Sequence, residues 1–346
     1  MLSMHRTFKF YFSLVTLLIL ASSMAGYSQS NPTSKPPSQK VDEPKKLNIA
    51  MAGIGVGGAW ASIGEGVLEC IRRSYPGSTA SYEAGQEGPN VALVSSGKLQ
   101  IGIANGQLVQ MAYEGTGPFN KRKMENVRVL AMLYEDVYFQ FLVNKKTGIK
   151  RIEDIKRLKY PLKINFNTKG SFMQIAGEQV LNAYGITESD IKSWGGRIGY
   201  MSTGDSIDQM RDSVIEAYIT TTQVPLSNFV DAALTMDLAL LPVNDEIIEK
   251  LKITLYTTKG VIPKKTYTFV DQEIPTLKSE CILFVNSKIS DAEAYAITKA
   301  ISNNINYLKG IHPSLKSLTV KGLATIKGKV PFHPGAELFY KEKGVF

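Results

Sequence analysis

The chain has 346 residues, 44% of them hydrophobic, with 40 Lys+Arg against 31 Asp+Glu and a formal charge of +9. The basic excess is spread along the chain, which argues against a nucleic-acid binder with a clustered patch. Only two cysteines are present, so no disulfide framework can be read from spacing.

Residues 1–25 read as a secretory signal peptide. Arg6 and Lys9 precede an apolar run from Phe10 to Ala21, and Ser23 and Ala25 offer small residues at a cleavage site. The run is shorter than the roughly 20 residues a membrane span needs, so cleavage and export are expected over a retained anchor. Processing removes Arg6 and Lys9 and no acid, leaving 38 basic against 31 acidic residues, a formal +7. Residues 26–46, GYSQSNPTSKPPSQKVDEPKK, are polar and proline-rich and read as a flexible tether. The 300 residues that follow exceed what one core usually holds, which points to two lobes.

Strands are predicted over 47–53, 78–84, 100–104, 127–134, 137–144, 162–166, 214–220 and 279–286. Helices are predicted over 58–74, 89–97, 106–113, 151–157, 171–184, 205–212, 225–234 and 290–308. The last carries Ile297, Ile301, Ile305 and Leu308 on one stripe behind a Ser290–Glu293 capping box. This alternation predicts an α/β protein with largely parallel, doubly wound sheets. Cys70 and Cys281 both sit in apolar segments and read as two buried thiols, with a bridge left open.

The first predicted strand runs into GIGVGGAW, where Gly53, Gly55 and Gly58 satisfy G-x-G-x-x-G. A dinucleotide fold needs an acid about 20 residues on, at the end of the second strand. Position 73 is Arg73, inside the first helix, and Arg72–Arg73 lies away from the strand end. The loop therefore reads as a cradle for an anion or carboxylate at a helix N-terminus, with no cofactor implied. Catalysis finds little support. His5 leaves with the signal peptide, His312 and His333 each precede proline, and no nucleophile elbow, zinc helix or Cys-x-x-Cys pair is present.

GIGVGGAW, followed by YPGSTASYEAGQEGPNVALVSSGKLQIGIANGQLVQMAYEGTGPF, resembles the opening of TAXI-type solute-binding proteins, the extracytoplasmic receptors of TRAP transporters. The resemblance continues in order through KGSFMQIAGEQVLNAYGIT, EAYITTTQVPLSNFVDAA and VIPKKTYTFVDQEIPTL to PFHPGAELFYKEKG, from about residue 47 to 344. It implies a two-lobed periplasmic-binding-protein type II fold with hinge strands. Residues 47–142 and 255–346 would form one lobe and 143–254 the other, with hinge candidates near Leu142–Asn144 and Leu255–Thr257.

Carried over position by position, Gly57, Gly58 and Trp60 match the family's first ligand loop. Asn90 matches the asparagine of its second segment, where Gln86, Glu87 and Pro89 replace Gly, Ser and Glu. Asn105-Gly106-Gln107 stands where Gln-Ser-Asp is usual. Lys169, Gly170, Ser171, Phe172 and Met173 align with Pro-Gly-Ser-Gly-Thr. Asn105 is also placed to cap the helix at 106–113, and Trp60, Phe172 and Met173 equally suit a core.

The resemblance implies capture of a small organic carboxylate, amino-acid-like solutes among them, and delivery to a TRAP-type membrane permease. Two helix N-termini, after Gly58 and after Ser171, would receive the carboxylate. Phe172 and Met173 would favour an apolar body, and Glu87 would repel a second carboxylate and attract an amine. A ligand-sensing or interaction module of the same fold is the alternative; a dehydrogenase would need nicotinamide binding.

Overall fold

The computed structural model describes residues 41–55 and 59–346. The expected signal peptide, most of the tether, Gly57 and Gly58 lie outside the described residues.

The described strands are β1 (Asn48–Ile54), β2 (Thr79–Gly85), β3 (Ile101–Asn105), β4 (Val127–Asn144), β5 (Lys163–Phe166), β6 (Arg197–Tyr200), β7 (Ala217–Gln223), β8 (Leu238–Leu241), β9 (Thr258–Ile262) and β10 (Ile274–Asn286). They join in the order β2-β1-β3-β10-β4-β7-β5-β6, with β8 on β4 and β9 on β10. β1 is parallel to β2 and β3, and β5 is parallel to β6 and β7. β4 pairs antiparallel with β10 from Val127 to Tyr138, then with β7 from Val137 to Val143. β10 pairs with β9 from Ile274 to Lys278 and with β3 from Cys281 to Val285. These two long strands thus run through both halves of the sheet. The first half holds β1–β3 and the second holds β5–β9. The partner exchange falls near Val137 on β4 and between Lys278 and Cys281 on β10.

The helices are α1 (Ala59–Ser74), α2 (Glu87–Ser95), α3 (Gly106–Glu114), α4 (Ile152–Arg157), α5 (Phe172–Ala183), α6 (Glu188–Ser193), α7 (Thr203–Arg211), α8 (Ser227–Ala232), α9 (Asp245–Leu255), α10 (Asp291–Asn303), α11 (Ile305–Ile311), α12 (Val320–Leu323) and α13 (Pro334–Glu342). α1 buries Ile63, Val67, Leu68 and Ile71 completely, the stripe its 3.6-residue period dictates. Where α1 crosses β1, a Cβ on Gly53 would lie 2.0 Å from the Tyr82 ring, so this close approach requires glycine. At the end of the stretch read as a tether, Glu43 accepts from Tyr75 Oη and Lys299 Nζ, both at 2.6 Å.

The α/β alternation is as predicted, but the sheet is mixed where largely parallel sheets are expected, because the long strands β4 and β10 run antiparallel to all their neighbours, and β6, β8 and β9 add to the predicted strands. Two elements also differ in extent. Residues 127–134 and 137–144 form one 18-residue strand. Glu135–Asp136, the acidic pair between the two predicted strands, continues the strand, and Lys278 and Lys327 pair with these acids and hold them there. The helix predicted over 290–308 starts at the expected capping box, then breaks at Asn304. There the amide side chain donates to Ala300 O and Ser74 Oγ, competing with the helical backbone bonds. Cys70 and Cys281 are both free and buried.

Candidate functional site

Two parallel βα junctions of the first half, β2–α2 and β3–α3, meet the β5–α5 junction of the second half. Glu87, the first residue of α2, lies at the centre and is 2% exposed. Its Oε1 accepts from the Asn105 backbone N–H at 2.7 Å and from Asn105 Nδ2 at 3.0 Å. Its Oε2 accepts from the Phe172 N–H at the first turn of α5, at 2.8 Å. One carboxylate therefore ties the two halves together. Beside it, the Gly88 N–H donates to Gly170 O at 3.2 Å, and a Cβ on Gly88 would sit 2.9 Å from that oxygen. Burial pushes the Glu87 carboxyl upward, against the three donated N–H groups that favour its charged form.

Asn105 leads into α3 from the N-cap position, but its side chain makes no cap bond. Its Nδ2 donates to Glu87 and its Oδ1 accepts from Ser279 Oγ at 3.4 Å, so the amide is turned away from the N–H groups of α3 and the expected cap is not made. Across the sheet, Asn105 stands opposite Cys281, and Cys281 opposite Tyr134. Trp60 donates through Nε1 to Tyr134 Oη at 2.7 Å, and both side chains are 6% exposed. Trp60, Tyr134, Cys281, Asn105 and Glu87 thus form a continuous buried row. Burial drives the Cys281 thiol and the Tyr134 phenol well above their usual ranges, so neither ionises there.

A second polar link runs alongside. Gln107 Nε2 donates to Glu280 Oε2 at 2.9 Å and to Tyr256 O at 3.4 Å. Tyr256, which caps α9 at φ 56°, donates from Oη to Glu114 Oε2 at 2.6 Å and lies 3.2 Å from Thr116 Oγ1. Glu280 is 5% exposed, and burial raises its pKa, with Gln107 opposing. Among the described residues neither Glu87 nor Glu280 has a cationic side chain within 4.0 Å.

The other predicted positions fall around this seam. Asn90 donates from Nδ2 to Gly53 O at 2.6 Å, fixing the start of the glycine loop to α2. Gln86 is the exposed N-cap of α2, without a side-chain cap bond. Ser171 caps α5, accepting from Gln174 N at 3.2 Å and donating to Thr168 O at 2.7 Å. Gly170, at φ 80°, makes the turn into that cap. Phe172 is completely buried. Lys169 is exposed, its ammonium 4.6 Å from the Tyr200 ring centroid. Near it, an open concavity of about 550 Å³ is lined by Tyr200, Ser202, Asp205 and Asp208 among others. Ser202 donates to Asp205 and Arg211 to Asp208, so these acids are already engaged at the surface.

Sequence reasoning did not single out Tyr134, Ser279, Glu280 or Thr221, and it reached Tyr256 and Thr257 only within the hinge candidate Leu255–Thr257. The hydroxyls of Thr221 and Thr257, 2% and 5% exposed by residue, have no hydrogen-bond partner among the described residues. A run of three threonines on a buried strand, Thr220–Thr222, is the one signal that would have flagged Thr221. Among the described residues no cluster of three His, Cys, Asp or Glu side chains could hold a metal. No described helix is long and apolar enough to cross a membrane.

Solved structures share this architecture. PhnD1 from Prochlorococcus marinus, solved with methylphosphonate, is similar at TM-score 0.55 and 14% identity, over 88% of this chain and 100% of that one. The periplasmic binding protein BugD matches at TM-score 0.53 and 10% identity, over 86% and 94%. MatC from Rhodopseudomonas palustris, solved with malate, matches at TM-score 0.53 and 11% identity, over 86% and 97%. The fold is thus the two-lobed α/β fold of periplasmic binding proteins. The profile of the NMT1-like family matches residues 51–344, and the chain belongs to that family.

Proposed function

We propose that this protein is an extracytoplasmic solute receptor. It binds a small organic solute between its two lobes without chemical conversion and delivers it to a membrane permease of the TRAP type. The observation that carries this reading is the seam itself. Glu87, Gln107 and Gly88 of one half bond Phe172, Tyr256 and Gly170 of the other, at the C-terminal ends of β2, β3 and β5, where ligands of open α/β folds are held. The moving bodies are the two sheet halves, which exchange partners near Val137 on β4 and between Lys278 and Cys281 on β10, and solute contacts from both would favour the closed state.

The solute class is a small carboxylate with an apolar body, amino acids included. The N-terminus of α1 would take its carboxylate, Phe172 and Met173 its apolar part, and the buried carboxyl of Glu280 an amine. Titration calorimetry of the mature chain with amino acids, simple monocarboxylates and dicarboxylates tests this. Binding of at least one amine-bearing monocarboxylate, with dicarboxylates weaker, is expected. Absence of heat across the panel would remove the carboxylate assignment, and preference for dicarboxylates would reverse it.

A further inference from the structure

We infer that the first turn of α5 and Asn105 form a carboxylate seat which Glu87 fills from within the chain, so that Glu87 determines selectivity by taking the place of a solute's second carboxylate. Three N–H donors from two separate halves converge on one carboxylate: Asn105 N, Asn105 Nδ2 and Phe172 N. A helix N-terminus and an amide fork are what a free carboxylate would use. Here the anion is covalently attached to α2, so it occupies the seat without the translational entropy a free solute would lose.

A second observation places unmet recognition capacity at the same spot. Ile219 on β7 lies against Gly177 of α5, where a Cβ would come within 3.0 Å of its Cγ2. β5 and β7 are parallel and α5 connects β5 to parallel β6, so α5 runs antiparallel to β7. Two residues along the strand advance about 6.6 Å, which is about four residues of helix. Thr221, on the same face as Ile219, therefore lies under Phe172–Met173. Thr221 Oγ1 is buried there without a partner among the described residues. A buried hydroxyl left unsatisfied costs free energy that a bound polar group recovers. Thr257, the other such hydroxyl, follows Tyr256 at the Gln107 link. Two buried hydroxyls thus stand ready for a ligand along the seam, while the seat's anionic position is already held.

The selectivity clause rests on the receptor reading above; the seat rests on geometry alone. The test compares the mature wild type with Glu87→Ala and Glu87→Gln in sodium acetate against sodium chloride of equal ionic strength. In Glu87→Ala, acetate should raise the melting temperature by about 2 °C and slow amide exchange at Phe172 by about tenfold. Neither readout should move in the wild type. Glu87→Gln, whose side chain still fills the space, should respond no more than the wild type. If Glu87→Ala folds only in acetate, recovery of folded protein is the same positive result. A folded Glu87→Ala indifferent to acetate, a variant that acetate does not restore, or a wild type that responds equally would each overturn the assignment. These readouts use no native solute. A receptor reading that fails by calorimetry would leave them standing, and their failure would leave the receptor reading standing.

Discussion

Replacing Tyr256 by Phe should open the seam without unfolding either half. The phenol donates to Glu114 Oε2 at 2.6 Å and is the side-chain part of the link between α9 and α3. Glu114 also accepts from Gln110 Nε2 at 2.7 Å and pairs with Lys329 at 3.2 Å, both through Oε1, so removing the phenol hands Oε2 to solvent, to which the partly exposed side chain has access. The loss is then the net value of one hydrogen bond to a charged group, about 1.5 kcal/mol or more when dry. The Glu114 side chain keeps 24% exposure, and solvent screening brings the figure down to about 1 kcal/mol. That is about a fivefold shift in the open-to-closed ratio. The ring and the left-handed backbone at position 256 are retained, so the change isolates the hydroxyl. Amide exchange reads it directly, because among the described residues the Phe172 N–H is held across the seam by Glu87 alone. Exchange at Phe172 should accelerate about fivefold while Met51 and Ile103, in β1 and β3, stay unchanged. An unchanged rate at Phe172, or equal acceleration at all three sites, would refute this account of the link.

Three further outcomes are expected. Burial raises the Glu280 pKa above its unfolded value, so the native state binds the extra proton and stability falls as pH rises from the ordinary carboxylate range through the raised value. Glu280→Gln should therefore raise the melting temperature at pH 8 more than at pH 4.5; a pH-independent difference would show that Glu280 does not titrate in the fold. Trp60→Phe removes the bond to Tyr134 Oη and should cost about 1–3 kcal/mol in chemical denaturation. It should also abolish most of any solute-induced change in tryptophan fluorescence, whereas Trp194→Phe should not; an unaltered signal would separate Trp60 from the site. Gly88→Ala places a methyl against Gly170 O and should weaken closure by about 1–3 kcal/mol, read as faster Phe172 exchange with β1 amides unaffected; no change would mean that the two backbones can part without cost.

The architecture was largely legible because hydrophobic period and capping are local. β1, β3, β5 and α1 follow from stripes within their own windows, and the Ser290–Glu293 box marks the start of α10. Strands β6, β8 and β9 were missed: each is only four or five residues long, and two contain glycine, leaving too little pattern to register. Several residues of the seam were singled out in sequence, but their connections were not. Glu87, Asn105 and Gln107 stood out as departures from a resembled pattern. That Glu87 meets a backbone N–H 85 positions away, and Trp60 a phenol 74 positions away, depends on how the halves pack. No window of sequence contains that information. The same holds for Tyr256, whose role comes from its position at the end of α9 facing α3.

The central claim is that a solute is held between the two lobes of a binding protein. Native mass spectrometry of the exported chain, purified without denaturation, tests it most directly. The account predicts a fraction of molecules heavier than the mature chain by one small organic molecule, with that mass lost on unfolding and regained on adding the released material back. A mass equal to the bare mature chain under every gentle condition, with no adduct formed from released cell-extract solutes, would contradict it.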